Sequence, residues 1–215
     1  MNFFDALKDS VPQDAQSGRI HGVVVGVVTN NQDPDALGRV KMKLPWLSDL
    51  DETNWARVVA PMAGKQRGVY FLPEVGDEVL VAFDHGDVRF PYVLGALWNG
   101  QDAPPASNDD GKNNIRLIKS RSGHVIKLND EGGSETIEIT DKSQKNSIVI
   151  DTSKNTITLT TDKDITLSAS KGTIKLDAQK VEITSSDATK LTSGSTMNVE
   201  ASGTMTVKGA TVNIN

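Results

Sequence analysis

Ile148-Val149-Ile150, Ile157-Thr158-Leu159, Ile165-Thr166-Leu167, Ile174-Lys175-Leu176 and Val181-Glu182-Ile183 each set two aliphatic residues around one spacer. The unit continues as Thr189-x-Leu191, Met197-x-Val199, Met205-x-Val207 and Val212-x-Ile214, with a hydroxyl in place of hydrocarbon only at Thr189. From position 148 to 212 there are eight steps over 64 residues, a mean period of eight with single steps of seven to nine. Upstream, Ile115-x-Leu117, Ile126-x-Leu128 and Ile137-x-Ile139 recur at eleven residues.

Side chains alternate along extended backbone, so each apolar-polar-apolar unit puts two aliphatic groups on one face of a short strand. The spacers are mostly Thr, Ser, Lys, Asp and Glu, which keeps the other face wet. Fourteen Thr in residues 148–215 favour strand, and the spacing misses the 3.6-residue period of a helix. One octad is too short to enclose a core, and a lone chain would expose strand edges along its length.

Three chains solve both problems. If each octad covers one face of a triangular prism, strands of the other two chains fill the gaps and the apolar pairs occupy the axis. The predicted axis is Ile148, Ile150, Ile157, Leu159, Ile165, Leu167, Ile174, Leu176, Val181, Ile183, Leu191, Met197, Val199, Met205, Val207, Val212 and Ile214. Nine octads at ~4.8 Å per strand give a shaft of roughly 40–45 Å. The alternative is a single-chain β-helix of three coils, with bare ends and no aromatic cap.

The rest of the chain is a different material. All ten aromatics lie between Phe3 and Trp98, and all eight prolines at or before Pro105. Residues 101–114, with Pro104-Pro105 and Asn108-Asp109-Asp110-Gly111, read as a linker. The expected organisation is an N-terminal arm at 1–18, a barrel domain at 19–100, the linker, a collar with eleven-residue repeats at 115–147, and an octad needle at 148–215. In the arm, Phe3, Phe4 and Leu7 share one side of a short helical turn, as a frayed end or as a docking segment.

Residues 19–100 predict short strands at 22–28, 38–44, 55–59, 68–72, 78–83 and 92–97, bounded by turn residues. Five or six such strands without a helical window imply a small closed sheet. Arg39 and Arg57 have Asp77, Glu78, Asp87 or a partner protein to pair with. Trp46 and Trp55 need apolar neighbours, in the core or at an interface. His85, beside Asp84 and Asp87, makes a poor metal set and reads as a solvated turn, and His124 reads as a turn residue of the collar.

The ordered motifs of this region resemble one family. Gly38-Arg39-Val40-Lys41 with Leu44-Pro45-Trp46, then Trp55-Ala56-Arg57-Val58, are similar to the baseplate assembly protein V family of phage spikes, shared with the valine-glycine repeat spikes of type VI secretion. So are Pro73-Glu74-Val75-Gly76-Asp77-Glu78, and Gly86-Asp87 before Phe90-Pro91-Tyr92. Ser120-Arg121-Ser122-Gly123-His124 through Ile139 resembles the segment that opens the intertwined β-helix of the same spikes.

The resemblance implies an all-β chain: an N-terminal oligonucleotide/oligosaccharide-fold (OB-fold) barrel followed by a C-terminal intertwined triple-stranded β-helix, as a homotrimer. It implies a non-enzymatic central spike of a contractile tail or injection machine, whose barrels dock a trimeric baseplate hub. The inner tube and baseplate would be indirect partners, and the target membrane a transient one. Some small spikes of the family bind an apical iron through a His-x-His pair; none stands near this C-terminus. The expected tip is therefore a separate PAAR-repeat protein on Val212, Asn213, Ile214 and Asn215.

Other functions fit less well. A net charge of −5 disfavours a phosphate-tracking binder, so nucleic acid is not an expected partner. An OB-fold carbohydrate- or nucleic-acid-binding module on a β-helical stalk is the alternative. A polysaccharide-cleaving β-helix would need carboxylates clustered on adjacent coils, and none stands out. No cofactor, metal or catalytic residue is expected. With no signal peptide visible, synthesis in a bacterial cytoplasm and assembly into a phage or injection-particle baseplate are expected.

Overall fold

The computed structural model describes residues 19–214, in two units divided at Thr160/Thr161. The proposed arm at 1–18 and Asn215 lie outside the described residues.

The first unit begins with a barrel. Its strands are β1 (Val24–Asn30), β2 (Arg39–Leu44), β3 (Ser48–Glu52), β4 (Ala56–Val58), the short pair β5 (Ala63–Gly64) and β6 (Arg67–Gly68), β7 (Glu78–Phe83) and β8 (Pro91–Ala96). The sheet runs β1-β7-β8-β4-β2-β3, and a further β1–β2 pairing closes five of these strands into a ring. Only β4–β8 is parallel; every other pair in the ring is antiparallel. This all-β, OB-like closure removes the edges that such short strands would otherwise expose.

Alternation builds the core. In Arg39-Val40-Lys41-Met42-Lys43-Leu44 and in Glu78-Val79-Leu80-Val81-Ala82-Phe83 every second residue is buried. These residues meet Val28, Ala56 and Val93 in one apolar cluster. Gly26 completes the packing: a Cβ there would lie 3.1 Å from the Met42 sulfur, so glycine leaves the methionine its room.

The expected strand at 68–72 does not form. Beyond β6 the segment has no strand partner, Tyr70 and Phe71 are exposed, and the chain runs into Pro73. A side chain at Gly68 would place Cβ 2.6 Å from the Met62 carbonyl oxygen, so the hairpin closes there only with glycine. The strand at 48–52 was not anticipated, because Ser48-Asp49-Leu50-Asp51-Glu52 lacks β-branched residues; pairing to β2 holds it.

Beyond the linker come β9 (Ile115–Lys119), β10 (Val125–Asn129), β11 (Thr136–Thr140), β12 (Ser147–Asp151) and β13 (Thr156–Thr160). They form an antiparallel meander in chain order. Ile148–Ile150 and Ile157–Leu159, which belong to the octads by spacing, pair here within the chain. Arg121 Nη1 lies 2.6 Å from Glu74 Oε2, an ion pair between the β9–β10 turn and the barrel.

In the second unit, residues 161–214, no strand is assigned, and every residue from Asp162 to Ile214 is exposed. Bends fall at 162–163, 170–172, 179, 186–187, 194–195, 202–203 and 210, so extended segments alternate with corners at the eight-residue period. A single-chain β-helix would carry ladders between successive coils; the described residues of this unit carry none.

Candidate interaction surfaces

The meander has two unlike faces. Residues directly opposite in an antiparallel pair share a face. The registers therefore align Ile118, Ile126, Ile139, Ile148 and Leu159 in one row across all five strands. A second row holds Leu128, Ile137, Ile150 and Ile157, beginning at Arg116. Within one chain Ile126, Ile139 and Ile148 remain 45%, 47% and 42% exposed. The opposite face is mainly polar, with Lys127 Nζ 2.8 Å from Glu138 Oε2 at its centre.

The pairing changes one detail of the repeat. Leu117 stands opposite Lys127 and Ile115 opposite Asn129, so the first eleven-residue unit sits on the polar face. Ile118 takes its place on the apolar one, because the β9–β10 turn sets Lys119 against Val125.

The octads continue the same chemistry. Beyond Thr160 the first aliphatic member of a pair is about half exposed and the second barer: Ile174 52% against Leu176 68%, Val181 53% against Ile183 71%, Met205 49% against Val207 69%. Between them stand polar side chains such as Lys175 and Lys180, paired to Asp177 and Glu182. At the end of the described chain Val212 is 49% and Ile214 91% exposed, with Asn213 also exposed. Every candidate axis residue of this unit is thus uncovered by its own chain.

On the barrel, the motif residues serve turns and loops. Arg39 pairs not with Asp77, Glu78 or Asp87 but with Asp33: Nε and Nη2 donate to its two oxygens at 2.8 and 2.7 Å. The Leu37 and Arg39 backbone amides also donate to that carboxylate, which is 3% exposed. Asp33 therefore knots the β1–β2 loop. The reading of the residues missed it, although Asp33-Pro34-Asp35 before Gly38 carries a turn signal. Trp55 is half-buried under Arg39 and Lys41, and Trp46 is 50% exposed, so neither is a core residue. Arg57 lies over the Tyr92 ring at 5.9 Å.

Pro73 is buried, and its carbonyl accepts a hydrogen bond from the Asn31 amide. Gly76 donates to the Val28 carbonyl, and Asp77 accepts from the Glu74 amide at 2.8 Å. The Glu78 carbonyl accepts from Leu97. Gly86 accepts from Ile20, and Asp87 chelates Arg89. His85 is 90% exposed in its turn, 3.7 Å from Asp84. His124 Nδ1 accepts from the Lys142 amide at 3.2 Å. Among the described residues no group of three or more His, Cys, Asp or Glu is placed to hold a metal ion, and no helix is long and apolar enough to cross a membrane.

The Arg39 guanidinium holds the Asp33 carboxyl well below its ordinary value of 3.8, and Arg89 holds Asp87 down at about 2. A carboxylate with a depressed pKa in the folded state stabilises the fold above its unfolded value and stops doing so as pH falls through the folded one. The barrel's melting temperature is therefore expected to be flat above about pH 5 and to fall from about pH 4 toward pH 2. Asp33→Asn should melt lower at pH 7 and show a shallower decline. Tryptophan fluorescence reads this, since all three Trp lie at or before Trp98. Parallel curves for both proteins would contradict the role of the Asp33 knot.

A cleft of about 920 Å³ opens beside this loop, between Leu37 and Gly38 on one side and Met62, Arg67, Tyr70 and Phe71 on the other. Its walls mix apolar side chains with Asn31, Gln32, Asp33, Gln66 and Arg67.

Residues 24–98 match the model of the type VI secretion system/phage-baseplate injector OB domain. The type VI secretion system spike protein VgrG3 of Vibrio cholerae is 30% identical over 131 residues, covering 55% of this chain and 13% of that protein. Spike protein VgrG1a of Pseudomonas aeruginosa is 28% identical over 159 residues, 68% of this chain and 25% of its own length. The actin cross-linking toxin VgrG1 of V. cholerae is 30% identical over 134 residues, 59% and 12%. The chain thus spans a quarter or less of these relatives, and the match to VgrG1a is longer than the barrel alone.

Proposed function

We propose, from the chain's membership of the VgrG-like baseplate spike family through its injector OB domain, that it is the trimeric, non-enzymatic central spike of a contractile injection machine. One observation carries this: on one face of the meander, and again through the octads of the second unit, most of the aliphatic side chains stay exposed in the single chain. Soluble proteins rarely leave so long an apolar surface bare. Three copies turning their stripes inward cover it, with the polar faces left in water.

In this reading the meanders form a three-sided prism and the octads beyond Thr160 an intertwined triple-stranded β-helix. The regular bends of the second unit support one octad per face, and the threefold axis takes the pairs from Ile165-x-Leu167 to Val212-x-Ile214. The barrels dock a trimeric hub, linked through it to the inner tube. The C-terminal residues Val212, Asn213, Ile214 and Asn215 seat a PAAR-repeat tip. Sheath contraction drives the needle through the target envelope. Its fitness for the task is mechanical, because unfolding requires three interwound chains to separate.

Light scattering on the full chain tests the assembly. The expected particle contains three 23.1 kDa chains at all accessible concentrations and resists dissociation by dodecyl sulfate without heating. A monomer would overturn the spike.

A further inference from the structure

The barrel carries two complementary features at opposite ends of strand β2. Before its first residue lies the cleft beside Gly38, whose lining includes Met62, Tyr70 and Phe71. After its last, the chain turns at Pro45–Leu47 and leaves Trp46, Leu47 and Leu50 50%, 59% and 88% exposed. Six residues of strand keep the two about 17 Å apart, and no residue of the turn lines the cleft. A single barrel therefore has an apolar projection and a recess lined in part by exposed apolar side chains, and the two cannot meet.

Their charges also complement one another. The β5–β6 hairpin brings Arg67 to the cleft, and it forms no ion pair among the described residues. The projection carries Asp51 and Glu52, exposed on β3. Asp51 accepts from the Ser48 hydroxyl of its own turn and forms no ion pair among the described residues, whereas Glu52 lies 3.7 Å from Lys41 of the same barrel. A projection and a recess on different patches of one molecule make a heterologous contact, which closes into a ring only when a rotation axis demands it. The threefold axis of the stripe supplies that closure.

We propose that the Trp46–Leu50 turn of each barrel seats in the cleft of the next copy, so that three barrels form a closed collar around the prism. Apolar burial of Trp46, Leu47 and Leu50 against Met62, Tyr70 and Phe71 holds the contact, and Asp51 facing Arg67 sets its direction. This contact rests on the trimer reading, and the test separates the two.

The chain has no cysteine, so introduced thiols report alone. The full chain carrying Leu50→Cys and Phe71→Cys is oxidised under mild conditions and run on a denaturing, non-reducing gel. A disulfide needs Cα atoms within about 7 Å, which the length of β2 denies within one chain. Covalent dimer and trimer are expected from the double variant and absent from either single variant. Leu47→Cys with Met62→Cys gives a second pair against poor geometry at the first. Silence of both pairs in a particle that light scattering still sizes as a trimer overturns the contact and leaves the cleft to a different protein, the hub. A monomeric particle overturns the trimer and the collar together.

Discussion

A chain carrying Leu167→Asp is expected to remain monomeric. In a single copy Leu167 is 69% exposed, so the substitution costs the isolated chain little. In the proposed needle it sets three carboxylates at one level of a dry axis, each without a cation. An unpaired charge buried in this way costs several kcal/mol per chain, and the three repel one another as well. The contrast is Thr166→Asp, one residue earlier and on the opposite face of the extended chain, which should assemble normally. Light scattering distinguishes them directly. A Leu167→Asp protein that forms trimers of ordinary resistance to dodecyl sulfate would show that this side chain does not face the axis.

Met42→Ala is expected to damage the other half of the molecule and leave assembly alone. Met42 is fully buried at the centre of the barrel, and its sulfur is the atom a side chain at Gly26 would meet. Truncation of such a side chain removes its burial and leaves a cavity, a loss of about 2–5 kcal/mol. With a urea dependence of about 1–3 kcal/mol/M, the barrel's midpoint should fall by about 1 M or more. Tryptophan fluorescence follows this transition, and light scattering should still return a trimer, because the axis residues lie outside the barrel. A barrel that unfolds at the parent midpoint would remove Met42 from the core.

The two substitutions act differently because the two parts of the chain hold together differently. The barrel closes on itself, with nine core side chains sealed by its own strands. The repeat region seals nothing within one copy. In the proposed trimer its stability is therefore a property of the assembly.

Much of this was legible in the residues. The period of eight marks where the chain bends in the second unit, since corners fall between the apolar pairs and never inside them. The residues predict strands at 38–44 and 78–83, and the alternation in Arg39–Leu44 and Glu78–Phe83 matches the burial of every second residue in the barrel. The ordered motifs from Gly38 to Gly95 pointed to the injector OB domain that the family comparison finds at 24–98.

Other features are not local and could not be read in advance. Arg39 has several acids within sequence reach; loop curvature brings Asp33 rather than Asp77 to its guanidinium. Tyr70-Phe71-Leu72 looks like a strand by composition, but no neighbouring backbone runs beside it to accept its hydrogen bonds. Ile115 and Leu117 match the apolar repeat in letters and fall on the polar face, because one turn length fixes which residue of β9 faces Ile126.

By itself, then, the order of residues determined the alternation within each strand, where the chain must turn, and that each apolar pair beyond the barrel is too short to enclose a core alone. Only the tertiary structure decided how the barrel closes through β1–β2 and the parallel β4–β8 pair, which face of the meander is apolar, and where the barrel's recess and projection lie. The physical reason is range: alternation and turn chemistry act over a few residues, whereas pairing register and barrel closure depend on backbone hydrogen bonds between segments tens of residues apart.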